Sequence, residues 1–373
     1  PYVVCELETY RGCPRDAHCS FCTEPFYGAP DYRSVPDIVR EVAALYDSGA
    51  LYFRIGRQPD LFMYQAIDGS GGARPDPAAI ESLYRGIRGA APGLRVLHMD
   101  NANPATIYRF PEESLVIAKT IIRYHTPGDV AAFGMESADP AVIRANALKA
   151  EPDEVFESIR LINSVGAGRG ANGMPELLPG LNFVHGLRAE SGSTFKLNYE
   201  FLKRVLDSGL LLRRINIRQV MVFPGTGMAS YAAHIKSKEF QRYKEKVRND
   251  IDVPMLRRVV PAGTILRDVM TEVGNGVTYG RQLGSYPLLV GIPDRFPLGR
   301  TVDVVVTSHG SRSITGVPVP LNVNEASMKL ISALPGMGKK RAAQVIRKRP
   351  FTGIDDFKSR VDGSSPAADY IGL

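Results

Sequence analysis

Long apolar runs are missing from this 373-residue chain; although 44% of it is hydrophobic, no stretch approaches a membrane span, which excludes a helical membrane protein. Cysteine is scarce, with four in the whole chain. Secreted scaffolds pair and disperse their thiols, so this usage excludes a disulfide framework. No signal peptide is expected. The chain opens at Pro1 rather than at a methionine, from which we expect a fragment or processed form short of an N-terminal region. Glycine and proline are scattered rather than repetitive. The hydrophobic content and length allow a large core in two or three domains. A net charge of +7 permits a polyanionic partner without requiring one.

Three of the four cysteines crowd into Arg11-Gly12-Cys13-Pro14-Arg15-Asp16-Ala17-His18-Cys19-Ser20-Phe21-Cys22. A thiolate is a soft anionic ligand suited to iron–sulfur clusters and zinc, and closely spaced thiolates on one loop can wrap a single inorganic centre. Three thiolates on a [4Fe–4S] cube leave one iron open to bind something else. Zinc is the alternative, with Cys5 or His18 completing four ligands. Against zinc stand the single Cys-x-x-Cys and the absence of a second ligand pair at a sensible distance. Cys5 lies in Tyr2-Val3-Val4-Cys5-Glu6-Leu7, which reads as a buried strand, so it is expected to be a core thiol. Free thiols and an oxygen-sensitive centre point to the cytoplasm.

Strand-like runs follow at Leu51–Gly56, Leu94–Met99, Val130–Met135, Leu181–Gly186 and Ile215–Val222. Between them lie helical patterns at Pro36–Leu45, Pro77–Arg88, Pro152–Ser164 and Asn198–Ser208. The alternation predicts an α/β fold with a parallel sheet and crossover helices. Ligands in such folds gather at the carboxyl ends of strands, and each run here ends in polar or glycine-rich residues.

The strand, the cysteine loop with Phe21 between its last two thiols, and the helix after it resemble the opening of a radical S-adenosylmethionine enzyme. The common family spacing has three residues between the first two cysteines; this chain has five. The resemblance implies a partial (β/α)6 barrel with Cys13, Cys19 and Cys22 holding a [4Fe–4S] cluster whose open iron chelates S-adenosylmethionine. Electron transfer from the reduced cluster would release methionine and a 5′-deoxyadenosyl radical that abstracts an unactivated hydrogen. For the cofactor it implies Phe21, the Gly56-Arg57-Gln58-Pro59-Asp60 segment with Gly56 and Gln58 or Asp60, and Glu136, Ser137 and Arg144. A carboxylate at Glu136 suits ribose hydroxyls and a guanidinium at Arg144 suits a carboxylate. Expected substrate-facing residues are His98, Asp100, Asn101, Asn103, Asn182 and His185.

From about Val259 the pattern changes to short β runs: Gly263–Val269, Val277–Gln282, Tyr286–Val290, Thr301–Val306 and Arg312–Val317. They predict a small barrel, and the turn expected at Tyr279-Gly280-Arg281 resembles that of the RNA-binding barrel appended to methylthiotransferases, with Arg281 on nucleic acid. A helix expected under an Asn324 cap then leads into Leu334-Pro335-Gly336-Met337-Gly338-Lys339-Lys340-Arg341 and a second helix to Arg349. This resembles a helix-hairpin-helix, whose glycines let backbone N–H groups approach a phosphate. Gly336, Gly338, Lys339, Lys340 and Arg341 are its candidate contacts. From Asn324 onward there are nine Lys/Arg against five Asp/Glu.

The expected domains are 1–254 (partial barrel), 255–321 (small β-barrel) and 322–373 (helix-hairpin-helix). Together they resemble archaeal radical enzymes, above all those of archaeosine synthesis. That resemblance implies a tRNA substrate bearing a lysine adduct of 7-cyano-7-deazaguanine and C–N cleavage. It also implies ArcS, the lysine-transferring synthase subunit, as partner, an electron donor, and no membrane. The alternatives are another radical RNA-modifying enzyme, such as a methylthiotransferase, or a non-catalytic nucleic-acid-binding protein with a structural metal.

Overall fold

The computed structural model describes residues 3–69, 72–231, 237–361 and 366–372. Pro1 and Tyr2, where the first strand is expected to open, lie outside the described residues. The chain divides into two compact units, Pro1–Gly170 with Pro175–Met255, and Ala171–Met174 with Leu256–Leu373.

In the first unit, β1 (Val4–Glu8), β2 (Tyr52–Gly56) and β3 (Val96–Met99) pair in parallel in that order. The chain breaks at Asp100 and resumes as Asn101–Ala102, which pairs in parallel with β4 (Asp129–Glu136). Then follow β5 (Leu177–His185) and β6 (Arg214–Gln219), also parallel and in sequence order. All the strands expected from the alternation are present, joined by the crossovers that parallel pairing demands. β4 is buried at every position. A strand covered on both faces needs no polar alternation, which is why it reads as a continuous apolar run. β5 starts earlier than its apolar run suggested, because Leu177 and Leu178 already pair with Asp129 and Val130. β6 stops at Gln219 instead of Val222: Val220 N still donates to His185 O, but Met221 is 69% exposed.

Helices begin close behind the strand ends because the sequence supplies a cap followed by proline. Ser34 accepts from Asp37 N at the start of Val35–Asp47, and Asp76 from Ala78 N at the start of Pro77–Ala90. Asn103 caps Pro104–Arg109 and Asp139 caps Pro140–Ala145 in the same way. Each cap satisfies an N–H that the helix itself leaves orphaned, and proline has no such group to lose. Apolar faces such as Ile80, Leu83, Tyr84 and Ile87 are turned into the core.

In the second unit, β7 (Ile265–Gly274), β8 (Thr278–Gln282), β9 (Leu289–Ile292), β10 (Thr301–His309) and β11 (Ser313–Val319) form a closed barrel in the order β7-β8-β9-β11-β10. The small barrel read from the sequence is therefore present. Tyr279-Gly280-Arg281, expected to turn, instead lies inside β8. A Cβ at Gly280 would fall 2.5 Å from Met270 O, so glycine serves close strand approach here. Two helices follow, Met328–Ala333 and Gly338–Lys348. The first is capped by Ser327, whose hydroxyl accepts from Leu330 N, and not by Asn324. Asn324 is instead drawn away by a two-way backbone bond: its amide donates to Phe351 O at 2.9 Å and accepts from Phe351 N at 2.8 Å.

Candidate functional site

The cysteine loop leaves β1 through Tyr10–Arg11, which pairs antiparallel with Asp31–Tyr32 and so closes the loop at its base. Gly12 has φ +93°, and a Cβ there would lie 2.4 Å from Ala29 O. Only glycine fits both demands. Its N–H donates to Glu24 Oε1 at 2.8 Å. Further along, Cys22 N donates to Cys19 O at 3.1 Å, forming a tight turn. Two donors reach the sulfurs: Arg15 Nη1 to Cys19 Sγ at 3.1 Å and Glu24 N to Cys22 Sγ at 3.4 Å.

Cys13, Cys19 and Cys22 line one cavity that opens to solvent, and Arg15, Glu24, Asp60, Asn103 and Lys149 line it with them. Burial pushes the Cys19 and Cys22 thiols up, while Lys149 and Arg15 pull Cys19 back and the Glu24 N–H pulls Cys22 back. Binding of a metal centre must therefore expel protons from these sulfurs. Neither ligand expected to complete a zinc site lines the cavity: Cys5 sits within β1 opposite Phe53, and His18 is exposed. Among the described residues no three His, Cys, Asp or Glu side chains meet on a single ion. Three thiols around one open cavity fit a [4Fe–4S] cube with one iron uncovered.

Of the strand ends, Pro59, Asp60 and Asn103 reach the wall, whereas Gly56, Gln58, Asn101, Glu136 and Ser137 do not line the cavity. After β2, Asp60 is buried and accepts from Phe62 N, Asn103 N and Thr106 Oγ1, while its carbonyl accepts from Tyr10 OH. Burial pushes its carboxyl up to about 6 against those donors. Gln58 is buried, donates to Ile55 O at 3.3 Å, and its Oε1 has no partner among the described residues. Gly56 closes β2, with Glu6 Oε1 2.4 Å from where its Cβ would be. Asn101 Nδ2 donates to Gln58 O at 3.0 Å, tying the second strand end to the third.

At the end of β4 the register slips between Gly134 and Glu136, and Glu136 takes φ +64°. A bulge next to a cavity re-aims a side chain, and a non-glycine residue holds this conformation only under constraint. Glu136 Oε1 and Lys149 Nζ each come within 2.5 Å of where a Cβ at Gly134 would stand, so glycine makes room for both head groups. Burial pushes the Glu136 carboxyl up to about 7, with Lys149 and then Arg218 pulling it back. Ser137 accepts from Asp139 N and approaches Asn198 Oδ1, which orders the turn after the strand.

Other expected residues fall elsewhere. Arg144 is exposed on its helix and does not line the cavity, where Lys149 supplies the cation. His98 is buried within β3, where burial lowers its pKa beside Asp129 and His125, at the opposite end of β4 from Glu136. Asp100 supplies its carbonyl to Ala132 N. Asn182 donates to Phe133 O and accepts from Asn216 Nδ2 at 3.0 Å. His185 Nδ1 is 2.9 Å from Glu190 Oε1, and its ring stacks on Phe195 at 4.9 Å, an enclosed structural setting. Phe21 packs with Cys19 against Val142, Ile143, Leu148, Leu187 and Met228.

In the second unit Arg281 is paired with Glu272 at 2.6 Å. Gly336 and Gly338 have φ of +77° and +63°, Lys339 and Lys340 are exposed at the start of their helix, and Arg341 folds back on Gly336 O.

No family model matches this chain. It is 46% identical over 374 residues to an uncharacterized protein of Archaeoglobus fulgidus, covering 100% of this chain and 69% of that protein. It is 50% identical over 327 residues to an uncharacterized protein of Methanocaldococcus jannaschii, covering 85% of this chain and 60% of that one. The chain belongs to the family of the Archaeoglobus protein, and it spans about two thirds of the length of these relatives. Among solved structures it overlaps the radical S-adenosylmethionine methyltransferase TsrM from Kitasatospora setae (TM-score 0.43, 15% identity, 60% of this chain and 38% of that one). It also overlaps HydG, a maturase of the [FeFe]-hydrogenase (TM-score 0.43, 14% identity, 69% and 50%). These overlaps are partial, and the chemistry rests on this chain's own residues.

Proposed function

We propose that this protein is a radical S-adenosylmethionine enzyme that acts on RNA, and within that class the radical subunit of archaeosine synthase, RaSEA. The observation that carries the class is the cavity lined by three thiols from the loop after β1, by Asp60 and Asn103 from the following strand ends, and by Lys149 from beyond the helix Pro140–Ala145. When bound there, a [4Fe–4S] cluster with S-adenosylmethionine supplies one-electron cleavage and a hydrogen-abstracting radical. Cys13, Cys19 and Cys22 would hold the cluster. Glu136 would accept hydrogen bonds from hydroxyls, and Lys149, rather than Arg144, would meet a carboxylate. Gln58 Oε1, buried and without a partner among the described residues, would supply an acceptor suited to an ammonium or hydroxyl. Such a centre belongs in a reducing cytoplasm.

The basic start of helix Gly338–Lys348 supports the nucleic-acid part of the reading, and the archaeal origin of the relatives supports archaeosine within it. The two helices around Gly336 and Gly338 would act as a helix-hairpin-helix on phosphates, with ArcS supplying the lysine adduct on tRNA and a separate donor supplying the electron. The test is anaerobic turnover on tRNA carrying that adduct, with nucleosides analysed by mass spectrometry. Archaeosine should form only with S-adenosylmethionine present. Cofactor cleavage without conversion of the adduct would refute the archaeosine assignment and leave the radical class standing. Lys339→Ala with Lys340→Ala should weaken tRNA binding and flatten its log–log salt dependence by about one unit per lost phosphate contact. An unchanged slope would remove the helix-hairpin-helix from the interface.

Glu136 gives a pH signature. Its folded pKa of about 7 lies above the ordinary value of 4.5, so between these values the folded chain binds more protons than the unfolded chain. The stability it contributes is full below the ordinary value and is lost as pH rises through about 7. Glu136→Gln, permanently neutral, should therefore raise Tm relative to the parent above pH 7 and not at pH 4. S-adenosylmethionine binding, measured by calorimetry, should tighten from pH 6 to pH 8 in the parent and stay flat in the variant. Parallel pH profiles in the two proteins would rule Glu136 out.

A further inference from the structure

We propose that Arg15 is a positioning residue that raises the reduction potential of the cluster through its bond to Cys19; this rests on the cluster reading above. Arg15 lies in the stretch between Cys13 and Cys19, and its guanidinium is held from two sides. Nη1 donates to Cys19 Sγ at 3.1 Å, while Nη2 donates to Ala147 O at 3.0 Å and Leu148 O at 3.3 Å. Ala147 has φ +47°, a left-handed conformation that sets the direction of this carbonyl pair. Because the guanidinium is planar, fixing one nitrogen on the carbonyls aims the other at the sulfur.

Reduction adds one electron and no proton, and the added charge spreads over the cluster and its thiolates. A charge-assisted N–H···S bond then stabilises the reduced state more than the oxidised one, so the potential rises. The contact is part-buried, so water screens it less than it would at a free surface. Lys149 also faces Cys19 as a cation, but at Cys19 Sγ the donor is Arg15. A lysine at position 15 keeps a charge, yet it lacks the rigid fork that grips carbonyls and sulfur together.

The test uses the full chain with its cluster reconstituted anaerobically, comparing the parent with Arg15→Ala, Arg15→Lys and Asp16→Ala, an exposed neighbour on the same loop. Iron and sulfide are quantified, and the proteins are titrated with dithionite in the presence of mediators while the electron paramagnetic resonance signal of the reduced cluster is followed. Arg15→Ala should load iron fully yet take up its electron tenfold less favourably, a midpoint lower by about 59 mV for a one-electron couple. Arg15→Lys should fall between Arg15→Ala and the parent, and Asp16→Ala should match the parent. Fully loaded Arg15 variants with the parent's midpoint would overturn the proposal. If Arg15→Ala fails to load, Arg15→Lys decides: an unshifted midpoint overturns it and a lowered one upholds it. A parent protein that shows no reducible four-iron signal removes the cluster reading itself, and the proposal with it.

Discussion

Cys19→Ala is expected to abolish iron loading and S-adenosylmethionine cleavage together, whereas Cys5→Ala should leave both at parent levels. The contrast follows from position. Cys19 lines the cavity with Cys13 and Cys22, while Cys5 lies within β1 and pairs with Phe53 across to β2. If Cys13, Cys19 and Cys22 are the three holders of the cluster, no spare protein ligand lines the cavity among the described residues, so losing one sulfur would leave the cluster held by only two. Cys22→Ala should behave as Cys19→Ala. The measurement is iron per chain after anaerobic reconstitution, with 5′-deoxyadenosine quantified by chromatography after reduction. A colourless, zinc-loaded parent that never cleaves the cofactor would replace the enzyme by a nucleic-acid-binding protein with a structural metal. Parent-level cleavage by Cys19→Ala would remove this residue from the ligand set.

Asp60→Ala should cost the first unit roughly 3 kcal/mol, the low end of leaving three buried donors unmade, because losing a carboxyl whose pKa burial pushes up to about 6 offsets part of that cost. Its carboxylate oxygens satisfy two backbone N–H groups and one hydroxyl on two separate stretches of chain: Phe62 after β2, and Asn103 and Thr106 at the cap and inside of one helix. Removing the carboxylate strands all three donors, at about 1–3 kcal/mol for each buried group left unmade. A fall in Tm on the order of 10 °C is expected, followed by circular dichroism. Asp60→Asn keeps one acceptor and should fall less. Because Asp60 and Asn103 both line the cavity, iron loading should drop with stability in Asp60→Ala. An unaltered Tm would show that these bonds are replaced when the side chain is lost, and would end the claim that Asp60 braces the wall.

Much of this site was legible in the sequence because its signals are local. Three thiols within ten residues mark a centre wherever the loop goes, and the runs of apolar residues mark parallel strands because burial on both faces removes the need for polar alternation. The glycine at position 12 could be read as part of the motif, but its φ of +93° and its approach to Ala29 O belong to the closed loop. Arg144 shows where local reasoning stopped. A cation behind β4 was expected, and chemistry alone does not distinguish Arg144 from Lys149. The short helix Pro140–Ala145 leaves Arg144 exposed, and the left-handed step at Ala147 returns the chain so that Lys149 reaches over Gly134. His98 failed for the opposite reason: it is a polar residue in a buried strand, facing Asp129 and His125 rather than the cavity.

By itself the sequence determined the crowding of three thiols on one loop, the order of strands and helices, and the presence of a small barrel followed by two helices, the second with a basic start. Each depends on neighbours along the chain, through ligand spacing, hydrophobic period and capping. Tertiary structure alone decided which residues meet the thiols, since Asp60 and Asn103 at strand ends and Lys149 beyond the helix Pro140–Ala145 are brought to one cavity with Cys13, Cys19 and Cys22 across tens of residues. It also decided that Arg15 bonds a cysteine sulfur while held by carbonyls more than a hundred residues away. No period or spacing records such a contact, because it is set by where separate strands end in space and not by what stands beside the residue in the chain.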